Sequence, residues 1–183
     1  MRVVGGMLRG RRLATPAGRA IRPTSDRIRE SIFDLLGVGF SCAGVLDLFA
    51  GTGALGIEAL SRGCESAVFV ERDNLALALI RSNIEKCGLA DRCLVVGRDV
   101  VAYLETSDHD AAVDLVLVDP PYRMGLVQKT LELLGQGERL AVAGRVVCET
   151  ESGLELPEKT GYLAQIKRRA YGDTAITLFG RVS

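Results

Sequence analysis

The sequence predicts an α/β fold with a mostly parallel sheet, and three observations carry that prediction. Strand-like and helix-like segments alternate from residue 45 to residue 148, which implies parallel strands joined by right-handed helical crossovers. Apart from Asp114, the stretch Val113–Val118 is Val and Leu on both faces, as in a central strand covered on both sides. The last two strand-like runs, Leu163–Tyr171 and Thr174–Arg181, are separated only by Gly172-Asp173 and predict a closing antiparallel hairpin. The expected sheet has seven strands.

Each element has a local reason. Arg2-Val3-Val4 and Arg11-Arg12-Leu13 read as an N-terminal β-hairpin, with Gly5, Gly6 and Gly10 at turn or bulge positions. Pro16, Gly18 and Pro23 mark an irregular linker, so residues 1–23 are expected to form an extension and 24–183 the main domain. Thr24 or Ser25 can cap a helix whose first turn holds Asp26. Ile28, Ile32, Leu35 and Leu36, with Phe33 beside them, form its docking stripe; Arg27 and Arg29 lie off it. Gly37 and Gly39 end it. Strands are expected at 45–49, 66–70, 93–96, 113–118 and 140–148, the last weakened by Gly144, with helices at 54–62, 75–87, 100–104 and 126–134 between them. Residues 150–161, with Pro157, read as a polar loop.

At 183 residues, 48% of them apolar and 25% charged, the chain suits one domain with a full core. No apolar run reaches the ~20 residues of a membrane span. Arg9, Arg11 and Arg12 interrupt any signal-peptide core. The five cysteines (Cys42, Cys64, Cys87, Cys93 and Cys148) are odd in number and never form C-x-x-C. That argues against disulfides or zinc, and for a reducing cytoplasm. A soluble monomer without metal or membrane attachment is expected. Zero net charge hides an asymmetry: residues 1–29 hold eight arginines against Asp26 alone, a basic block suited to a polyanion.

Gly51, Gly53 and Gly56 satisfy G-x-G-x-x-G after a strand, and Glu71 ends the next strand. The generic reading is a dinucleotide site with the acid on ribose hydroxyls. Asp47 at the strand end opposes a pyrophosphate and suits a cation or amine. Asp99 follows the third strand and can accept from an adenine amino group. Three acids at successive strand ends suit S-adenosylmethionine, which has a sulfonium and an α-amino group but no phosphate; the alternative is that these acids cap helices.

After the central strand comes Asp119-Pro120-Pro121-Tyr122. A rigid loop at the carboxyl end of a parallel strand is where open α/β sheets place chemistry. An exocyclic amine on a base is a poor nucleophile because its lone pair is delocalised. The Asp119 carboxylate and the Pro120 carbonyl can each accept one amine hydrogen, while Tyr122 can stack on an unpaired base for roughly 1–3 kcal/mol. His109, the sole histidine, reads as a surface residue without a chemical role.

With these residues the chain resembles the Rossmann-like class I S-adenosylmethionine-dependent methyltransferases that act on amines, for which Asp-Pro-Pro-Tyr is the catalytic motif. It resembles more closely the bacterial RsmD-type family, which methylates N2 of a guanine in 16S ribosomal RNA. The likeness rests on residues 2–13, on Arg22-Pro23-Thr24-Ser25-Asp26-Arg27-Ile28-Arg29-Glu30, on 46–56, on Glu58-Ala59-Leu60-Ser61-Arg62-Gly63, on 118–122 and on Tyr171-Gly172-Asp173-Thr174. Thr52 stands where serine is frequent and Cys64 where alanine is. The resemblance implies that Asp47, Phe49, Ala50, Gly51, Thr52, Gly53, Glu71, Arg72, Asp99 and Val100 hold S-adenosylmethionine. It further implies that Asp119, Pro120, Pro121 and Tyr122 hold the target base. Arg9, Arg11, Arg12, Arg19, Arg22 and Arg27 are then expected to meet 16S rRNA, free or within the small subunit. Three alternatives remain: a DNA adenine-N6 methyltransferase, a nicotinamide-dependent oxidoreductase, and a non-catalytic RNA-binding protein on the same fold.

Overall fold

The computed structural model describes residues 1–16, 25–37, 42–106, 112–121 and 125–182. Its elements in chain order are α1 (Asp26–Leu36), β1 (Gly44–Leu48), α2 (Ala54–Ser61), β2 (Ser66–Glu71), α3 (Asn74–Cys87), β3 (Cys93–Gly97), α4 (Val100–Glu105), β4 (Val113–Val118), α5 (Leu126–Gln136), β5 (Leu140–Glu151), β6 (Lys159–Thr160), β7 (Leu163–Tyr171) and β8 (Thr174–Arg181). They build one eight-stranded sheet in the order β3-β2-β1-β4-β5-β8-β7-β6. The first five strands of that order are parallel, and β8, β7 and β6 continue antiparallel. This is a Rossmann-like methyltransferase fold, with one strand more than expected. The extra strand is two residues long, too short to show a period in the sequence, and lies inside the predicted polar loop.

Alternation along each strand sorts the core into two layers. Val45, Phe69, Leu115, Leu117 and Val147 pack under α1, α2 and α3. Leu46, Leu48, Val70, Val116, Val118 and Cys148 pack under α4 and α5. Asp114, the polar break in β4, holds the amino end of β1 by accepting from the amides of Ala43 (2.7 Å) and Gly44 (3.2 Å).

The N-terminal hairpin shrinks to a single antiparallel bridge, Arg2 with Arg12. Its ends are buried: Val3 and Leu13 belong to the α1–α3 core layer. Two buried α2 residues fasten it. Glu58 accepts from the amides of Val4 (2.8 Å) and Gly5 (2.7 Å), and the Ser61 hydroxyl donates to Gly5 O and accepts from Leu8 N. Ser25 is the α1 cap, accepting from Ile28 N, whereas Thr24 lies outside the described residues.

Two expectations are corrected. Arg29, placed off the docking stripe, is fully buried; its Nη2 donates to Arg2 O (2.7 Å) and Asp26 (2.6 Å), while Nε and Nη1 have no hydrogen-bond partner among the described residues. The N-terminal segment covers the helix face that the α1 periodicity alone leaves to solvent. The cysteines are not all free: Cys42 and Cys64 form a disulfide with Cα atoms 4.6 Å apart. The bonds Glu65 N to Cys42 O and Ser66 N to Ala43 O lay the start of β2 beside the start of β1. Sequence spacing does not show that tertiary juxtaposition.

Candidate active site

The strand order reverses between β1 and β4, because the chain moves outward from β1 to β3 and then returns to β4 on the other side. A crevice opens at such a switch point, at the carboxyl ends of the strands. The glycine loop follows β1 there and Asp119-Pro120-Pro121 follows β4, so the topology brings the two sequence motifs to one place. Negative Asp119 lies close enough to contribute to the raised pKa of Asp47.

The loop is held in shape from beneath. Phe49 has φ 61°, the one positive φ at a non-glycine among the described residues, and Gly51 (φ 55°) and Gly53 (φ 76°) continue the reversal. Such backbone is strained for a phenylalanine and recurs at binding sites. Gly56 has no room for a side chain: a Cβ there would sit 2.4 Å from the Phe69 ring and 3.0 Å from Asp47 Oδ2. This close approach lets α2 start directly over β1 and β2.

The three strand-end acids are brought to the loop in different ways. Asp47 is buried, and its Oδ2 accepts from Gly56 N at 2.9 Å. Burial pushes its carboxyl pKa well above 3.8, the Gly56 amide opposes that, and negative Asp119 and Glu71 add to it. Glu71 accepts from Gly51 N (2.9 Å), Arg72 N (2.8 Å) and Asp73 N (2.9 Å). A carboxylate has about four acceptor sites, so Glu71 keeps capacity for a ligand hydroxyl. Asp99 caps α4, accepting from Val101 N (2.9 Å) and Ala102 N (3.3 Å), and pairs with Arg72 at 3.1 Å. For Asp99 the capping alternative therefore describes the geometry. Val100, first in α4, is buried, as are Ala50 and Thr52.

Of the base-holding motif, Pro120 is buried, Asp119 half-buried and Pro121 exposed, and Tyr122 lies outside the described residues. Arg9, Arg11, Arg12 and Arg27 are exposed; Arg19, Arg22 and His109 also lie outside the described residues. Arg9, Arg11 and Arg12 belong to the segment between buried Val3 and buried Leu13. The segment they belong to runs from its bonds with Glu58 and Ser61 to Ala14, which meets α3.

A family model described as conserved hypothetical protein 95 matches residues 1–180. The ribosomal RNA small subunit methyltransferase D of Escherichia coli strain K12 is 34% identical over 99% of this chain and 90% of its own. The chain belongs to this methyltransferase family. YlbH of Bacillus subtilis strain 168 is 37% identical over 98% of both chains. The solved structure of Escherichia coli yhhF superposes with a TM-score of 0.88 at 32% identity, covering 99% of this chain and 97% of that one.

Sequence reasoning missed Asn83. It is fully buried in α3, and its Nδ2 donates to Thr52 O in the glycine loop (2.9 Å) and to Ala14 O (3.1 Å), while its Oδ1 accepts from Ala14 N (2.7 Å). One side chain thus ties the basic extension to the loop of the crevice. An asparagine facing inward on a helix that otherwise buries Ala76, Leu77, Ile80 and Ile84 was the available signal. Glu58, buried beside Arg62 (2.8 Å) in α2, is a second example.

Proposed function

We propose that this protein transfers a methyl group from S-adenosylmethionine to the exocyclic N2 amine of a guanine in 16S ribosomal RNA. One observation carries the reading: the switch-point crevice joins a glycine loop ringed by Asp47 and Glu71 to Asp119 and Pro120, in a chain of the small subunit methyltransferase family.

The residues present fit the donor. Asp47 and Glu71 offer carboxyl oxygens at the loop, which suit an α-amino group and ribose hydroxyls and oppose a pyrophosphate. The backbone of Phe49 to Gly53 would line the donor's tail, Glu71 would take ribose hydroxyls, and Arg72, Asp99 and Val100 would border the adenine. When bound, the donor supplies an electrophilic methyl on a positively charged sulfur.

The protein's own part is positioning and electrostatics. The Asp119 carboxylate and the Pro120 carbonyl each accept one amine hydrogen, which fixes the nitrogen and returns electron density to it. Pro121 stiffens that carbonyl, and Tyr122 is assigned the stacking face. A strong general base is unnecessary, because the nitrogen becomes acidic as the new bond forms, and Asp119 or water takes the proton. Arg9, Arg11, Arg12, Arg19, Arg22 and Arg27 are assigned to the RNA backbone.

The test is methyl transfer from labelled S-adenosylmethionine to 16S RNA, naked and in small subunits, prepared from a strain lacking the enzyme. The expected product after nucleoside digestion is N2-methylguanosine. Failure of both substrates to accept label overturns the reading. Titration with NAD and with S-adenosylmethionine separates the donor from the dinucleotide alternative.

A further inference from the structure

Beyond residue 29 acids outnumber bases, yet β7 carries Lys167-Arg168-Arg169 in a row and no acid. The proposed reaction leaves this run unused. β6 pairs with β7 only at Leu163 and Ala164, so among the described residues the rest of β7 is a sheet edge with β8 alone beside it. Alternation splits the run. Lys167 and Arg169 pair with Leu178 and Ile176, both in the α1–α3 core layer, so their side chains leave the sheet on that side. Arg168 turns to the other face, where it donates to Ser152 O (2.8 Å) and Thr177 Oγ1 (3.3 Å). Lys167 and Arg169 are exposed, and neither joins an ion pair among the described residues.

Helix α1 brings a third cation to this margin. Ser31 of α1, then Arg169, lowers the pKa of the Tyr171 phenol against a rise from burial, so the end of β7 lies against α1. Arg27 is exposed one turn before Ser31 on the same helix face, and Ser31 Oγ donates to its carbonyl (2.9 Å). Asp34 is close enough to Tyr171 to oppose part of this charge.

Strand register sets the margin level with the reactive loop. Val118 pairs with Cys148, Cys148 with Thr177, and Thr177 with Arg168. One step further, Glu149, Ile176 and Arg169 form the next row, beside Asp119. Arg169 thus stands three strand spacings from Asp119, roughly 15 Å. It shares with Asp119 the side of the sheet on which Leu115 and Leu117 lie. The phosphates flanking a base held at Asp119 come within such a span. We propose that Lys167 and Arg169, with Arg27, form a second phosphate-binding margin that takes the RNA backbone beside the base whose amine Asp119 holds. Contacts of this kind position the nucleic acid without reading its sequence. The inference rests on the proposed RNA methylation and adds a substrate surface on the closing hairpin.

The experiment compares full-length Lys167→Gln/Arg169→Gln with wild type on 16S RNA and on small subunits from a strain lacking the enzyme. The slope of log K against log salt should flatten by about 0.7 for each phosphate released. KM for RNA should then rise about tenfold at ~0.15 M salt, with kcat, melting temperature and donor affinity close to wild type. Lys129→Gln/Lys159→Gln removes equal charge from α5 and from the far end of β7's partner β6, and should leave the slope unchanged. A wild-type slope in the β7 variant, or the same change in both variants, overturns the inference while the methylation reading stands. So does a β7 variant that dimerises with an unaltered slope, because the charges would then only guard an open strand edge. Should the double variant not fold, Lys167→Gln alone decides by whether the slope flattens. Failure of the wild type to methylate either substrate removes the parent reading and this surface with it.

Discussion

Asp47 is buried where charge is expensive, and that position yields a pH prediction with a definite sign. Burial, then the negative neighbours Asp119 and Glu71, raise its carboxyl pKa well above 3.8 against the pull of the Gly56 amide. The folded protein therefore keeps this proton to higher pH than the unfolded chain. Its contribution to stability is full below 3.8 and is lost as pH rises towards the folded pKa. Asp47→Asn preserves an acceptor for Gly56 N without a charge to bury. It should be more stable than wild type at pH 7, and the gap should close as pH falls towards 3.8 in denaturant titrations. A gap that widens towards acid contradicts this account. The same variant should bind S-adenosylmethionine more weakly, since an amide NH2 replaces the carboxyl oxygen left to accept from the donor's α-amino group. Asp119→Ala should behave oppositely: methyl transfer falls by on the order of a hundredfold or more, while donor affinity, measured calorimetrically, stays near wild type. Both acids were legible in the sequence because each stands at a strand end inside a motif. Glu58 and Asn83 were not, because the backbone groups they hold lie 31 to 69 positions away and only the fold brings them together.

Helix α3 has a task beyond covering the sheet. Through Asn83 it meets the glycine loop at Thr52 and the N-terminal segment at Ala14, so the two regions share one buried side chain. Asn83→Ala leaves Thr52 O and both backbone groups of Ala14 without that partner. Each buried unsatisfied group costs about 1–3 kcal/mol, and relaxation or water entry recovers part of the sum. The variant should lose about 3 kcal/mol of stability and bind the donor more weakly, while amide exchange at Ala14 quickens. Protection at Ala14 equal to wild type would show that the clamp is not what holds the segment. Periodicity correctly located α3. It could not locate the two residues of β6, nor the burial of Arg29, because a strand that short has no pattern and the cover over α1 comes from a distant segment. The hairpin was legible as a reversal but not as a ladder; its strands are replaced by docking onto Glu58 and Ser61.

At the scale of the molecule, function divides by charge. The carboxylates Asp47 and Glu71 hold the glycine loop, whereas Arg9, Arg11 and Arg12 are exposed on the N-terminal segment that Glu58 fastens to α2. Under the proposed reaction, a positively charged donor meets the carboxylates and a polyanionic RNA the arginines of one electrically neutral protein. Parallel strands joined by crossovers were implied by the alternation of elements, and the concentration of positive charge in the first 29 residues was legible in the arginine count. The Cys42–Cys64 disulfide was not legible, since it depends on where β1 and β2 begin relative to each other. The division of labour makes a separable prediction. Arg9, Arg11 and Arg12 are exposed and their backbone bonds stay within the N-terminal segment, so replacing all three with Ala should leave melting temperature and donor affinity unchanged. RNA affinity should fall, and the slope of log K against log salt should flatten by about 0.7 for each phosphate of single-stranded RNA that is no longer neutralised. Turnover at saturating RNA should survive, because Asp119 and Pro120 are intact, so the loss appears in KM more than in kcat. If the slope instead matches wild type while kcat collapses, these arginines do not meet phosphates and the basic block acts through the fold.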